Sequence, residues 1–259
     1  MKSDSIVFDQ AVEYYDRTRA LPPELQARVT AFLVSRLRER EPVLEVGVGT
    51  GRIGLPVVGA GVRVVGIDLS EPMLGRLVRN AGDPSVLPVA RGDALALPFA
   101  DGVVGGAYVC HVLHLVPDWR SAVAELVRVV RAGGLVLADI GGSQTSRGRE
   151  VGERFQELTG AGPLRPGVRE AGELDAAFAR LGCAAEQPVT FPHELEYTVG
   201  AILHRLESNQ WSSTWTLSDD VRLRAVAETR RWAEERYGDL GQPVREDVAI
   251  IWRGYETPA

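Results

Sequence analysis

The stretch VLEVGVGTGRIGLP, residues 43–56, starts as a short apolar strand and breaks into a loop with four glycines, Gly47, Gly49, Gly51 and Gly54. The part of this loop from Gly49 to Gly54 satisfies the dinucleotide-binding pattern G-x-G-x-x-G. The pattern is weak when it occurs alone, so the rest of the chain has to decide which ligand the loop binds.

The chain is long enough for one large α/β domain, or for a domain with an inserted subdomain. The 259 residues are 45% hydrophobic and 25% charged, which suffices for a full hydrophobic core. No apolar run approaches the ~18 residues of a membrane span, and the acidic N-terminal stretch does not resemble an export signal. We therefore expect a cytoplasmic protein. The net charge of −6, with arginines interleaved among acids, argues against a nucleic-acid partner.

The spacing of potential metal ligands favours no metal site. Cys110 and Cys183 lack C-x-x-C spacing, which argues against a disulfide framework and against structural zinc, and we expect both to be buried. The histidines and acids also follow no spacing that is typical of a metal centre.

Apolar strands alternate with amphipathic helices through the first half of the chain. The strands are predicted at 43–46, 62–67, 103–110 and 135–140, with a weaker one at 85–90. Helices are predicted at 70–80, with Ser70 as N-cap, and at 119–131. This alternation is typical of a doubly wound, mostly parallel sheet.

Helices flank this core at both ends. Residues 1–41 are predicted to form N-terminal cover helices at 8–19 and from Pro22 onward, and 141–152 to form a loop. Toward the C-terminus, strands at 184–191 and 244–255 enclose helices at 197–207 and 221–237. We expect residues 42–191 and 241–259 to form the binding domain and 192–240 to form a helical cap over its carboxyl edge.

Three features beyond the glycines bear on the ligand. Asp68 ends the second strand, where an acid accepts the ribose hydroxyls of any nucleoside, so it does not discriminate alone. Glu45 lies just before the loop, where a carboxylate repels a pyrophosphate and favours a cation. Asp93 and the backbone of Ala94 offer an acceptor and a donor that suit an adenine edge. The only lysine, Lys2, rules out the Tyr-x-x-x-Lys arrangement of short-chain dehydrogenases.

Together, the segments VLEVGVGTG, VVGIDLSEPML, ARGDALALPF, VLHLVPDW and VVRAGGLVLAD resemble the motif series of class I S-adenosylmethionine-dependent methyltransferases. The chain is most similar to the small-molecule branch that includes ubiquinone and menaquinone methyltransferases, over residues 12–140. One departure is Arg131-Ala132-Gly133-Gly134, where the family usually has a proline. The resemblance implies a Rossmann-like, seven-stranded, mostly parallel sheet with helices on both faces and a helical cap inserted between the last two strands.

The resemblance also implies S-adenosyl-L-methionine as the cofactor and assigns residues to it. The glycine loop would lie under the methionine and ribose, Asp68 would bind the ribose, and the N-terminal segment would close the site. The full implied set is Tyr15, Arg19, Glu45, Gly47, Gly49, Gly51, Asp68, Leu69, Met73, Asp93, Ala94 and His111. Alternatively, Asp68 and Asp93 each cap the helix after their strand. Arg52 is either a solvated residue or a gate.

Methyl transfer from a sulfonium is an in-line displacement that needs alignment and, for some acceptors, a base. His111 is the candidate catalytic base; alternatively, it only hydrogen-bonds backbone or cofactor. His114, His193, Trp211 and Trp215 are candidate substrate residues, whereas we expect Trp232 and Trp252 to be core residues.

The sequence thus predicts methyl transfer to oxygen, nitrogen or carbon of a small-molecule acceptor by a monomer or homodimer. An NAD(P)-dependent oxidoreductase and a non-catalytic S-adenosylmethionine-binding protein are the alternatives.

Overall fold

The computed structural model describes residues 6–140, 145–160 and 166–259. The chain divides into two compact units. Unit 1 comprises Met1–Gly141, Gly167–Phe191 and Ile250–Ala259, and unit 2 comprises Gly142–Pro166 and Pro192–Ala249.

One sheet organises the described chain. Its strands are β1 (Val43–Val46), β2 (Val64–Asp68), β3 (Val89–Arg91), β4 (Val104–Cys110), β5 (Val130–Asp139), β6 (Ala184–Ala185), β7 (Val189–Tyr197) and β8 (Val244–Glu256). The order is β3-β2-β1-β4-β5-β8-β6, and β7 pairs with β8. Strands β1 to β5 are parallel, whereas β8 runs antiparallel to β5 and β6. This sheet confirms the predicted Rossmann-like, mostly parallel architecture.

The sheet has eight strands, which corrects the expected seven. The stretch 184–191 was predicted as one strand, but it contributes to two, β6 and β7. Pro188 lies between them, and a proline cannot donate a hydrogen bond to a strand ladder. The break therefore turns one predicted strand into two.

The helices are α1 (Tyr15–Arg19), α2 (Pro23–Leu37), α3 (Gly54–Gly59), α4 (Glu71–Ala81), α5 (Trp119–Val129), α6 (Ser146–Thr159), α7 (Ala171–Arg180), α8 (Val199–Glu207) and α9 (Asp219–Tyr237). The start of α4 follows the sequence prediction, since the Ser70 side chain accepts a hydrogen bond from the Met73 N–H at 3.3 Å. No helix within the described ranges has the length and apolar character needed to cross a bilayer.

Two hydrophobic clusters occupy the two faces of the sheet. Alternate residues of one strand point to opposite faces, so Leu44 lies in one cluster and Val43 in the other. Trp252 is 1% exposed in the second cluster, beside Tyr108, which confirms its predicted core position. Glu45 lies on this second face and is buried there.

The region around α6 differs from its prediction as a loop. Residues 146–152 are helical, while residues 141–144 lie outside the described residues. The Thr145 hydroxyl caps α6 by accepting a hydrogen bond from the Gly148 N–H at 3.1 Å. The glycines at 148 and 152 concealed this helix, because glycine lowers helix propensity.

Unit 2 has its own hydrophobic core, in which Val151 and Phe155 of α6 pack with residues of α8 and α9. This compact unit includes 142–166, which the predicted boundaries 192–240 do not contain. The placement of a cap over the site stays a prediction.

The N-terminal helix predicted at 8–19 is also interrupted. It consists of a 3-10 turn, Asp9–Ala11, followed by the short helix α1. Residues 1–5 of the predicted cover lie outside the described residues.

Candidate active site

A cavity opens in unit 1 at the carboxyl ends of β1, β2 and β4, where the strand order changes direction. It contains about 710 Å³ of empty space, a volume that includes open solvent at its mouth. The predicted residues that line it are Tyr15, Gly47, Gly49, Asp68, Leu69, Met73, Asp93, Ala94 and His111. This position at a topological switch point is where open α/β sheets bind ligands.

The glycine loop lies close against neighbouring strand ends. Gly47 has φ of +75°, and a Cβ atom at this position would clash with the Val112 side chain. The Gly49 N–H donates a hydrogen bond of 2.8 Å to Oδ2 of Asp68. Residues with a side chain rarely adopt the positive φ of Gly47. Both this φ and the close approach of Val112 therefore require glycine at position 47.

Asp68 is held by backbone donors on both sides. Its Oδ2 accepts from Gly49, and its Oδ1 accepts from the Ser70 N–H at 2.8 Å. Burial raises the pKa of this carboxyl, while the hydrogen bonds from Ser70 and Gly49 lower it. Each oxygen retains a second lone pair, so the carboxylate can still accept hydrogen bonds from a ligand.

Asp93 and Ala94 form a tight turn at the end of β3. Oδ1 of Asp93 accepts from the Leu95 N–H at 3.0 Å, and its backbone carbonyl accepts from Ala96 at 3.0 Å. The Gly92 N–H donates to the backbone carbonyl of Asp68 at 3.0 Å, which joins this turn to β2. The two predicted ligand-binding acids therefore lie on adjacent strand ends.

Glu45, Gly51 and Arg19 were predicted to contact the cofactor but do not line the cavity. Glu45 lies on the sheet face occupied by Tyr108, whose hydroxyl donates a hydrogen bond of 2.9 Å to Oε2. Burial raises the pKa of Glu45 to about 8. Burial thus favours the neutral form of the Glu45 carboxyl, and the predicted role of Glu45 at the cofactor stays a prediction.

The sequence leaves Arg52 as either a solvated residue or a gate, and in the structure Arg52 is half-buried. Its Nη2 lies 4.0 Å from Sγ of Cys110, and its Nη1 is buried without a hydrogen-bond partner among the described residues. A buried guanidinium is costly unless an anion accompanies it. Asp139 is one anion near Arg52, and Arg52 does not line the cavity, so a ligand role for its unpartnered Nη1 stays a proposal.

His111 follows β4 and has φ of +58°, a left-handed conformation that costs a non-glycine residue about 1–3 kcal/mol. Its Nε2 lies 2.9 Å from Oδ2 of Asp139 at the end of β5. The Asp139 side chain is 5% exposed and that of His111 is 21% exposed. Such strain persists only where the surrounding structure holds it, and it is frequent at functional sites.

Cys110 completes this cluster. Its Sγ lies 3.7 Å from Oδ2 of Asp139, and ligand atoms of Cys110, His111 and Asp139 all lie within 4.8 Å of one another. Burial and the Asp139 charge raise the pKa of the Cys110 thiol well above its usual range, so the thiol stays protonated. Cys110 and Asp139 were not predicted as site residues. The available signal was an acid at the carboxyl end of an apolar strand.

Polar contacts tie the N-terminal segment to the cavity wall. Oδ1 of Asp9 accepts from the Ser70 hydroxyl at 2.6 Å, and Oδ1 of Asp16 accepts from the Thr50 hydroxyl at 2.6 Å. Tyr15 lines the cavity together with the apolar residues Ile6, Val7 and Phe8. This segment therefore covers part of the cavity with apolar surface.

The predicted substrate residues do not line this cavity. His114 lies in the 3-10 turn Leu113–Leu115 of unit 1, with its ring centroid 6.5 Å from that of His111. His193, Trp211 and Trp215 belong to unit 2. There, Trp211 packs against the core, and Nε1 of Trp215 donates to the Asn209 carbonyl at 3.0 Å. Their role in substrate binding stays a prediction.

A glycine loop at the switch point, with acids at the ends of two adjacent strands, is characteristic of a nucleoside-binding α/β domain. Residues 44–138 match the family model of a methyltransferase domain. The resemblance to class I methyltransferases is thus confirmed for this part of the chain.

Relatives and solved structures agree with this match. A demethylmenaquinone methyltransferase of Desulfitobacterium hafniense is 37% identical over 37% of this chain and 40% of the relative. A phosphatidylethanolamine N-methyltransferase of Cereibacter sphaeroides is 39% identical over 48% of this chain and 61% of the relative. The chain thus spans less than two thirds of the length of these relatives. The YcgJ protein of Bacillus subtilis, 19% identical, has a TM-score of 0.63 over 90% of this chain and 99% of that chain, which shows a shared fold.

Proposed function

We propose that this protein is an S-adenosylmethionine-dependent methyltransferase that acts on a small molecule. The observation that carries the proposal is that Gly47, Gly49, Asp68 and Asp93 line one cavity inside the segment that matches a methyltransferase domain. S-adenosylmethionine, when bound, supplies an electrophilic methyl group on a sulfonium.

The residues around the cavity fit the parts of this cofactor. The free lone pairs of Asp68 suit the two ribose hydroxyls, because charge-assisted hydrogen bonds to a carboxylate are strong. Asp93 and the backbone of Ala94 suit the polar edge of adenine, and Leu69 and Met73 offer it apolar contacts. Arg52 does not line the cavity, but its buried Nη1, which has no hydrogen-bond partner among the described residues, suits the carboxylate of the methionine part.

The remaining residues would align the acceptor and exclude water. Ile6, Val7 and Phe8 offer apolar surface at the cavity, and excluding water limits competing reactions of the methyl group. His111 is at the end of β4, where it can accept a proton from an acceptor. The enzyme requires no covalent nucleophile, because the displacement is a single in-line step.

The proposed function leaves the class of the methyl acceptor broad. The two relatives above are named for a quinone precursor and for a lipid amine, and their matches cover 37% and 48% of this chain. We propose a small-molecule acceptor that is methylated on oxygen, nitrogen or carbon.

Isothermal titration calorimetry with S-adenosylhomocysteine, NAD and NADP tests the cofactor. We expect the protein to bind S-adenosylhomocysteine and to show no comparable heat with either dinucleotide. Tight binding of NAD or NADP, with none of S-adenosylhomocysteine, would establish the oxidoreductase alternative.

Transfer of a tritiated methyl group from S-adenosylmethionine to a panel of hydroquinones, phenols and amines tests catalysis. We expect label to appear in at least one acceptor class. Cofactor binding without transfer to any member of the panel would favour the non-catalytic binding protein.

A further inference from the structure

Three side chains of different chemistry meet where β4 and β5 end. Sγ of Cys110 and Nε2 of His111 both approach the same oxygen of Asp139, Oδ2, at 3.7 Å and 2.9 Å. We propose that these three groups form a binding site for a thiophilic divalent cation of the zinc type, with the sulfur, the imidazole nitrogen and the carboxylate oxygen as its ligands. The inference goes beyond the proposed function, which requires no metal.

The donor set matches the ligands of zinc and not those of magnesium or calcium. Zinc in proteins is bound by cysteine sulfur, histidine nitrogen and carboxylate oxygen, whereas magnesium and calcium take oxygen ligands. A thiolate in particular selects soft cations over hard ones. One sulfur, one nitrogen and one oxygen donor in contact therefore favour a zinc-type cation.

The distances between the donor atoms suit a tetrahedral cation. With bonds of about 2.0 Å to nitrogen and oxygen and about 2.3 Å to sulfur, a tetrahedral site separates nitrogen from oxygen by about 3.3 Å and sulfur from oxygen by about 3.5 Å. The observed separations are 2.9 Å for Nε2–Oδ2 and 3.7 Å for Sγ–Oδ2. All three donors lie within 4.8 Å of one another. Small side-chain rotations thus suffice to bring both contacts with Oδ2 to metal-binding distances.

The backbone at His111 brings two consecutive side chains to one carboxylate. Successive residues of an extended strand point to opposite faces of the sheet. His111 directly follows β4, and its φ of +58° ends the extended conformation there. The side chains of Cys110 and His111 consequently both reach Asp139. Left-handed backbone is strained in a residue with a side chain, and such strain is frequent at ligand-binding positions.

The cluster is buried on one side and open to the cavity on the other. The Asp139 side chain is 5% exposed, whereas Cys110 and His111 line the cavity. A cation can therefore enter through the cavity. Three protein ligands that leave a fourth position open are typical of zinc sites that also bind water or an added ligand.

The charges around the cluster determine what completes the metal shell. Without a metal the Cys110 thiol is protonated, and a bound metal displaces this proton to solvent because only the thiolate is a ligand. The thiolate and the Asp139 carboxylate then offset the two charges of the cation. The Arg52 guanidinium, 4.0 Å from Sγ, leaves one positive charge in excess. We therefore expect the fourth ligand to be an anion, such as hydroxide.

Cobalt titration tests the site in the native protein. The protein is treated with EDTA, exchanged into metal-free buffer and titrated with Co²⁺, whose absorption spectrum reports thiolate ligands and coordination number. We expect a thiolate-to-cobalt charge-transfer band and the intense d–d bands of a tetrahedral ion, both abolished by excess Zn²⁺. The weak d–d bands of six-coordinate cobalt, without a charge-transfer band, would refute the site.

Calorimetric titration with Zn²⁺ assigns the ligands. We expect micromolar or tighter binding to the native protein, weakened about 100-fold or more in Cys110→Ser and in Asp139→Asn, because loss of a ligand costs at least as much as loss of a residue that supports one. Cys183→Ser is the matched control, since Cys183 is the only other cysteine, and it should bind Zn²⁺ like the native protein. Equal affinity of Cys110→Ser and native protein, or only millimolar binding to native protein, overturns the proposal.

Two controls address folding and the type of metal. Circular dichroism without metal checks each variant, and Cys110→Ala replaces Cys110→Ser if the serine protein does not fold. If neither folds, the cobalt charge-transfer band of Cys183→Ser still decides whether the Cys110 thiolate is a ligand, and its absence there would refute the site. A millimolar excess of Mg²⁺ should not displace Zn²⁺, and displacement would contradict a thiophilic site.

Binding of S-adenosylhomocysteine separates this inference from the proposed function. If native protein binds S-adenosylhomocysteine but gives neither the cobalt spectrum nor micromolar zinc binding, the metal site fails alone. If it binds Zn²⁺ through Cys110 and Asp139 but does not bind S-adenosylhomocysteine, the proposed function fails and the metal site is confirmed.

Discussion

Glu45→Gln tests whether burial controls the charge under the glycine loop. The Glu45 side chain lies beneath the loop and accepts a hydrogen bond from the Tyr108 hydroxyl at 2.9 Å. Its pKa is about 8 in the folded protein, against 4.5 for the free side chain. Glutamine has nearly the same shape and can accept the same hydrogen bond, but it does not titrate.

The sign and size of the effect follow from these two pKa values. The native state keeps a proton that the unfolded chain releases, so this contribution to stability is complete below about pH 4.5 and is lost as the pH rises through about 8. At about 1.36 kcal/mol per pKa unit, the difference amounts to about 5 kcal/mol. The native protein should therefore lose this stability relative to Glu45→Gln between pH 5 and pH 9.

Urea unfolding, followed by tryptophan fluorescence and circular dichroism at pH 5, 7 and 9, measures the difference. We expect Glu45→Gln to match the native protein approximately at pH 5 and to be several kcal/mol more stable at pH 9. The exposed control Glu39→Gln should follow the native protein at every pH. A difference between native protein and Glu45→Gln that stays constant with pH, or grows in the opposite direction, would refute the reasoning.

Three further predictions concern the loop and its partners. Gly47→Ala should destabilise the protein by about 2 kcal/mol or more in urea unfolding, because the new Cβ clashes with Val112 at a positive φ. Gly59→Ala is the control and should not destabilise the protein in this way, because a Cβ atom at position 59 has no neighbouring atom within 4 Å. Asp68→Asn should weaken S-adenosylhomocysteine binding about 10- to 100-fold in calorimetry, as a charge-assisted hydrogen bond contributes about 1.5–3 kcal/mol; retained affinity would contradict its role. Ser70→Ala should cost about 1 kcal/mol of unfolding free energy through the lost cap of α4, and no loss would show that the cap is dispensable.

Local patterns determined the main elements of the sheet and the loop. The apolar runs at 43–46, 62–67 and 103–110 each contain a strand of the parallel sheet or most of one, and the run at 135–140 contains half of β5, because buried parallel strands are nearly uniformly apolar. Gly47, Gly49, Asp68 and Asp93 were predictable as a group, since the carboxyl ends of parallel strands meet at one edge. In contrast, β6 and β7 form by pairing with β8, and α6 packs against α8 and α9. No local sequence pattern contains these long-range contacts.

The protonation state of Glu45 and the pairing of His111 with Asp139 were decided by tertiary structure. Glu45 carries the same side chain as any surface glutamate, and only its burial beside Tyr108 moves its pKa toward neutrality. His111 and Asp139 are distant in sequence, and the parallel pairing of β4 with β5 brings their ring and carboxylate within hydrogen-bond distance. The sequence by itself thus determined where the glycine loop and the two acids that line the cavity are. The folded structure decided which groups carry charge, because desolvation and long-range contacts depend on the whole fold.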